Sequence, residues 1–257
     1  MKKITNVLVG SDPEFFIKKD GDFFPSFNVI QGTKSDPTDI GSGYQILKDN
    51  VLLEGNIPPA STKKEFIHNM KYLKSYFINM LSENDMSLVC ADSGVFQSKF
   101  LRHPDATEFG CSPYMNCWDM NEHRADDMSD MNHRVAGFHI HIGYDTYLDK
   151  TFLNQIIAKA FDYFLVYPSR LKHNDEIRSV YYGGYGNYRD KEYGLECRSL
   201  GGKFTEDKYL GKVYDNVMKM IKFINSTDGI EKIINLGNSF SEAHYNMLGI
   251  NIENLKF

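Results

Sequence analysis

Cysteine is scarce in this chain. Its four residues stand at positions 90, 111, 117 and 197, and no two of them form a C-x-x-C pair. That spacing excludes a zinc knuckle or a thioredoxin-type motif and offers no disulfide framework, so reduced thiols in a cytoplasm are expected. Long apolar runs are missing too. The best candidate, Phe161-Asp-Tyr-Phe-Leu-Val-Tyr167, is short and carries an acid, whereas a bilayer span takes roughly 20 apolar residues. The start, Met1-Lys-Lys, is followed by a polar-interrupted stretch that runs straight into Ser11-Asp-Pro-Glu14, so no signal peptide is expected. Positive charge is not in excess: 29 Lys and Arg face 34 Asp and Glu, a net charge of −5. Broad binding to nucleic acid or to an anionic membrane is therefore excluded. No G-x-G-x-x-G or Walker sequence, internal repeat or Pro/Ser-rich linker occurs.

What is present is a globule-forming composition. Hydrophobic residues make up 42% and aromatics 14%, enough for a substantial core and too much for disorder. The first third reads as strands: Asn6–Val9, Glu14–Ile17, a hairpin turn at Asp20-Gly21, and Asn50–Ile57, which Pro58-Pro59 is expected to stop. Thr62-x-x-Glu65 is a capping box, and Phe66, Met70, Leu73, Phe77 and Leu81 keep one helical face. Ser87–Ala91 reads as a short buried strand and Val135–Tyr144 as another. A second helix carries Leu153 to Phe164 and is expected to end near Pro168; a strand follows at Gly194–Leu200. Leu210 to Ile224 marks a third helix. Residues 102–134 have no periodicity and read as a functional or mobile loop. The expectation is one α+β domain over 1–257, an antiparallel sheet backed by long helices.

The chemistry gathers on strands. In Arg134-Val-Ala-Gly-Phe-His-Ile-His-Ile-Gly143, alternation puts His139 and His141 on one face, with Phe138, Ile140 and Ile142 in the core. Two such imidazoles suit a metal or a phosphate; the plainer alternative is two surface histidines on an edge strand. Asp12 and Glu14 share a strand face. Glu54 interrupts an apolar run, and Glu196 and Arg198 alternate with Leu195 and Cys197. Each alone is compatible with a solvated strand face or a weak surface pair. Together, four strands presenting acids, histidines and an arginine on one face build a polar cavity, and carboxylates with one imidazole suit Mg²⁺ or Mn²⁺ better than zinc. Tyr181-Tyr-Gly-Gly-Tyr-Gly-Asn-Tyr-Arg189 is a glycine-rich loop followed by Arg189, Lys191 and Arg198. It is either a phosphate cradle or simply flexible.

Five segments occur in order: Gly10-Ser-Asp-Pro-Glu-Phe-Phe16, Asp49-Asn-Val-Leu-Leu-Glu-Gly-Asn-Ile-Pro-Pro59, Phe109-Gly-Cys-Ser-Pro113, Arg134-x-x-Gly-x-His-Ile-His-Ile-Gly143 and Tyr188-Arg-x-x-x-Tyr-Gly-Leu-Glu-Cys-Arg-Ser-Leu200. The set resembles the phage carboxylate–amine ligases of type 2, in the glutamine synthetase-like superfamily. The resemblance covers about residues 7–202, leaving 203–257 as additional helices. It implies a glutamine synthetase- or glutamate–cysteine ligase-like antiparallel sheet whose concave face holds ATP and two divalent ions, Mg²⁺ or Mn²⁺. By motif position Asp12, Glu14, Glu54, His139 and Glu196 look like metal ligands. His141, Arg189, Arg198 and, outside the motifs, Lys34 look like contacts to phosphate or substrate carboxylate. The familiar Gly-Gly-His is Gly137-Phe138-His139 here, and Phe138 is expected to face the core.

The activity so implied is amide formation. ATP phosphorylates a carboxylate, an amine attacks the acyl phosphate, and phosphate leaves; metal ions and arginines offset the repulsion between anionic reactants. No covalent nucleophile is required, in keeping with the lack of a Ser or Cys motif. Small-molecule or peptide carboxylates and amines are the expected partners, with no extended nucleic-acid or membrane binding and with oligomerisation open. The expected location is the cytoplasm, that of the host if the chain is phage-encoded. A metal-dependent phosphoester hydrolase and a non-catalytic phage protein retaining the fold are the alternatives.

Overall fold

A computed structural model describes residues 2–107, 113–124 and 131–257. Strand β1 (Thr5–Lys19) is 15 residues long and turns through Asp20-Gly21, at φ 52° and 87°, into β2 (Asp22–Phe24). A second hairpin is formed by β3 (Thr38–Gly41) and β4 (Tyr44–Asp49), and β5 (Leu52–Ala60) follows. Helix α1 (Lys63–Ser82) starts at Thr62, whose side chain accepts from the Glu65 N–H, while Glu65 accepts from the Ser61 N–H at 2.7 Å. Its predicted apolar face is fully buried. The short pieces β6 (Met86–Val89), β7 (Ser93–Val95), α2 (Ser98–Leu101), α3 (Pro104–Thr107), β8 (Tyr114–Asn116), β9 (Glu122–His123) and β10 (His133–Val135) lead to β11 (Phe138–Asp145).

Helix α4 (Lys150–Phe161) passes through a π-helical turn at Asp162–Val166 into α5 (Tyr167–Lys172). Then come α6 (Glu176–Tyr181), β12 (Asn187–Lys191), β13 (Gly194–Cys197), α7 (Asp207–Ile224), α8 (Gly229–Ile234) and α9 (Glu242–Leu248). All pairings among the described strands are antiparallel. The order across the main sheet is β3-β4-β5-β1-β11-β13-β12-β8-β9, the far half of β1 also pairs with β2 and β6, and β7 and β10 form a separate ribbon. Helices α1, α4 and α7 pack together on one face of the sheet. There Phe15, Phe66, Phe77, Phe138, Ile140 and Leu195 meet Leu153, Phe161, Val213 and Met220 in one continuous core. A second, smaller apolar cluster gathers Phe16, Val51, Leu52, Phe96 and Ala136 apart from this core, and the polar side chains of the site share the face away from the helices.

Several expectations are corrected. Pro58-Pro59 does not stop β5, which continues to Ala60. Pairing with β4 ends at Asn56, and the β1 register is irregular between Val9 and Ser11, so neither proline interrupts a regular ladder. Pro168 does not end the second helix. The wider turn just before it relieves the ladder, and the helical path continues to Lys172. Strand β6 is half-buried rather than buried, because it lies at the edge beside β1. Val135–Tyr144 divides at Ala136-Gly137 between β10 and β11. The segment 102–134 contains short elements over its described residues; the motif residues Phe109–Ser112 lie outside those described.

Candidate active site

Cross-strand register assembles the site. Strand β1 places Asp12 opposite His139 and Gly10 opposite His141; β13 places Glu196 opposite His141 and Arg189; β5 places Glu54 opposite Glu14. Directly opposed residues share a face, so three central strands and their neighbours deliver these side chains to the surface away from the helices. The edge-strand alternative fails, since β11 lies between β1 and β13, and His139 is only 2% exposed. Phe138 is fully buried in the core, as expected from its side of the strand.

His139 is held from several sides. Gly137 leaves room for its ring: a Cβ there would come within 2.5 Å of His139 Nε2. Nε2 is hydrogen-bonded to the Tyr182 hydroxyl at 2.9 Å. Nδ1 is buried and has no hydrogen-bond partner, although it lies 3.3 Å from Asp12 Oδ1 and 3.8 Å from Glu196 Oε1. A buried ring nitrogen without a hydrogen-bond partner, beside two carboxylates, is a donor that could hold a cation. His141 is hydrogen-bonded at both ring nitrogens. Its Nε2 bonds Asp12 Oδ1 at 2.9 Å, and its Nδ1 bonds the Tyr193 hydroxyl at 2.5 Å. Asp12, His141 and Glu196 form one group whose ligand atoms lie within 4.8 Å of each other.

A second such group is Glu14, Asp49 and Glu54. Glu14 also accepts from the Gly137 N–H at 2.5 Å, which ties this group to the start of β11. Lys34 is half-exposed and pairs with Asp49 at 2.6 Å. Burial would lower its pKa, but Asp49 and Glu54 outweigh that and hold the ammonium charged. Burial pushes the Glu14 and Glu54 carboxyls up, and Asp49 adds to both by like-charge repulsion. Glu196 moves the other way. Burial and Asp12 oppose it, yet Arg198 and the two histidines bring it down to about 2. Three cations surround that carboxylate: Arg198, hydrogen-bonded to Oε1, Lys191 at 2.8 Å and Arg189 at 3.5 Å. The predicted Glu–Arg pair is therefore buried rather than solvated. Asp12 is pulled well below the usual range, because His141 and His139 outweigh its burial.

Arg198 is buried, with one terminal nitrogen on Glu196, the other on the Tyr182 hydroxyl, and a buried Nε without a partner. Arg189 donates to the Pro113 carbonyl at 3.2 Å and remains partly exposed. The glycine-rich loop is tied to its surroundings by hydrogen bonds to its backbone. Gly183 and Gly186 sit at φ 75° and 79°, where a side chain would strain the backbone and strike Arg178 or Trp118. The carbonyls of Gly183, Gly184 and Tyr185 accept from Arg170, Ser199 and Asn116. The loop places the Tyr182 hydroxyl beside His139 and Arg198. Asp49, Tyr182 and Tyr193 are site neighbours to which sequence reasoning gave no role; Asp49 opened a quoted motif, the one signal available for it.

No family model matches the chain, and no curated protein matches it. One solved structure that does match is described as the crystal structure of a novel glutamine synthase homolog. It aligns at 10% identity with a TM-score of 0.42, over 97% of this chain and 63% of its own. The chain thus spans less than two thirds of that protein's length. A likeness at this level leaves function to the geometry of the site itself. Among the described residues no helix is long and apolar enough to cross a membrane.

Proposed function

We propose that the chain is an ATP-dependent carboxylate–amine ligase. The observation that carries this reading is the pairing of two ligand groups, Asp12–His141–Glu196 and Glu14–Asp49–Glu54, on one sheet face with Arg189, Arg198 and the unpartnered Nδ1 of His139. The donor set is rich in carboxylate oxygens with imidazole and contains no thiolate, which fits Mg²⁺ or Mn²⁺. Asp12, Glu14, Glu54, His139 and Glu196 would hold the ions, with His141 and Asp49 completing the two groups as further donors. Bound there, they would supply charge neutralisation between a triphosphate and a substrate carboxylate.

The chain's own residues do the positioning. Arg198 is fixed by Glu196 and Tyr182, so its charge is preorganised at the site centre and needs no reorientation when phosphoryl oxygens gain charge. Arg189, less buried, is placed to meet the anionic end of an incoming ligand, with Lys34 at the opposite end of the site. In the metal-free protein His141 is held toward its protonated form by Asp12 against its burial. The buried floor of Phe138, Ile140 and Leu195 keeps water from beneath the site, protecting an acyl phosphate until an amine arrives.

The test is a screen of carboxylate and amine pairs with ATP and Mg²⁺, following ADP and amide by mass spectrometry. Amine-dependent ADP is expected, and Glu54→Gln and Glu196→Gln should each abolish it. Phosphoester cleavage without ATP would replace the reading with a hydrolase; failure of nucleotide to bind under any pair would remove it.

A further inference from the structure

Arg178, in α6, has no part in the roles above, yet it is only 4% exposed and carries its charge into the interior. It makes no ion pair among the described residues. Asp92, the acid whose charge acts on it, is engaged with His173 at 3.4 Å and with the Lys203 N–H at 2.7 Å. Backbone carbonyls take the place of a counter-ion. Nε donates to Ala136 at 2.8 Å, Nη1 to Ser199 at 2.9 Å, and Nη2 to Leu200 at 2.8 Å and to Arg198 at 3.3 Å. A planar guanidinium can hold several fixed acceptors at once, whereas an ammonium is a point charge on a flexible stem. The four carbonyls belong to two segments that flank the site: Ala136 precedes Gly137 and His139, and residues 198–200 follow Glu196. Tyr182 brings a third. Its N–H donates to the Arg178 carbonyl at 2.9 Å, and Gly183 turns at φ 75° so close to the guanidinium that a Cβ would overlap it. The Tyr182 ring centroid then lies 5.6 Å from the guanidinium of Arg178 and 5.4 Å from that of Arg198.

We propose that Arg178 is a positioning residue of the site: by holding these three segments together it sets the Tyr182 hydroxyl against His139 and Arg198. The inference rests on the ligase reading in taking His139 and Arg198 for active groups. One hydroxyl serves both, since it meets His139 Nε2 at 2.9 Å and accepts from Arg198. The three segments must therefore stay in register. A shift of about 0.7 Å in one of them carries the imidazole contact beyond hydrogen-bond range. A buried cation surrounded by dipoles alone is a costly way to fill space, and an apolar side chain would fill it more cheaply. What the guanidinium adds is the alignment of Tyr182 with the two strands it serves.

The test is Arg178→Lys, which keeps the charge and loses the fork, read in two ways on the full chain. In the metal-free protein, ¹⁵N NMR of the His139 ring should show the same change of tautomer balance as Tyr182→Phe. Mn²⁺ affinity by electron paramagnetic resonance should fall at least about tenfold. The double variant should lose no more than Tyr182→Phe alone, because the arginine acts through the phenol. Leu210→Ala, a cavity in the helix layer, separates positioning from plain loss of stability: it should change Mn²⁺ affinity less than about twofold and leave the His139 signals in place. Gly183→Ala approaches the same contact from the loop and keeps the arginine, so it should repeat the Arg178→Lys result and carries the test if that variant does not fold. Additive losses in the double variant, an equal effect of Leu210→Ala, or wild-type readouts in Arg178→Lys would overturn the proposal, as would failure of both Arg178→Lys and Gly183→Ala to fold. The NMR comparison involves neither metal nor nucleotide. It can fail while amine-dependent ADP release succeeds, and it stands if that release is never found, so the two readings fall separately.

Discussion

His139 and Tyr182 show how one side chain's orientation is determined by another far away in sequence. The phenol oxygen accepts from Arg198 and is hydrogen-bonded to His139 Nε2, so the ring is turned with Nδ1 toward Asp12 and Glu196. When Nε2 carries the proton, Nδ1 is free as a ligand, and the phenol oxygen is the acceptor that stabilises this tautomer. Tyr182→Phe removes that oxygen and leaves two buried nitrogens short of a partner. A stability loss of about 1–3 kcal/mol is expected from denaturant unfolding. Mn²⁺ affinity, read by electron paramagnetic resonance, should fall about 10–100-fold. An unchanged Mn²⁺ affinity at reduced stability would show that the phenol supports the fold alone. Of these residues the sequence displayed only part. His139 and His141 were legible because alternation fixes which residues share a face. Tyr182 was not, because its loop holds several tyrosines and only the tertiary path of Gly183 to Gly186 selects one. Asp49 was hidden for a similar reason: it ends β4 just before the turn that folds it back toward Glu54.

At the scale of elements, periodicity was a good guide and proline a poor one. The capping box at Thr62 and the apolar stripes of α1 and α7 depend on local hydrogen bonds and on a single buried face, so they can be read from spacing. Pro58-Pro59 and Pro168 break no ladder because the fold supplies an irregular register at one and a π-helical turn at the other, both set by tertiary packing. That turn carries a testable group. Asp162 begins it, accepts from Trp118 Nε1 at 2.6 Å, and has a second carboxyl oxygen that is buried without a partner. Burial pushes its pKa from 3.8 up to about 8, despite the opposing effects of Trp118 and Arg170. The folded state therefore holds this proton more tightly than the unfolded chain does. Its stabilising contribution is complete below the ordinary value and is lost as pH rises through about 8, by about 1.4 kcal/mol per unit in between. Asp162→Asn keeps an acceptor for Trp118 and does not titrate. Urea midpoints at pH 5 and pH 8 should show the wild type losing up to about 4 kcal/mol relative to this variant; parallel profiles would contradict the buried neutral acid.

Over the whole molecule, the small excess of acids acquires a location. Much of the surface charge is paired, as in Lys63–Asp215 and Lys74–Asp207, whereas Glu14 and Glu54 stand directly opposite each other on neighbouring strands, with Asp49 beside them. Like charges so placed destabilise a sheet, and the upward shift of both glutamates reflects the same crowding on top of burial. On the ligase reading, cations bound at these carboxylates would offset this cost on loading. Two consequences separate. Mg²⁺ or Mn²⁺ at a hundred times its dissociation constant should stabilise the folded state by about 2.7 kcal/mol, a rise of roughly 5–10 °C in melting temperature for a chain of this size. NaCl at equal ionic strength should not reproduce it, because screening acts weakly on buried groups. Glu54→Gln should raise the melting temperature of the metal-free protein by removing one of the opposed charges, and it should also shrink the increment from Mg²⁺. Differential scanning fluorimetry of both proteins over a metal titration measures the pair of effects together. If Glu54→Gln lowers metal-free stability and retains the full Mg²⁺ increment, Glu54 is an ordinary paired carboxylate, and the second ligand group must be assigned elsewhere on the face.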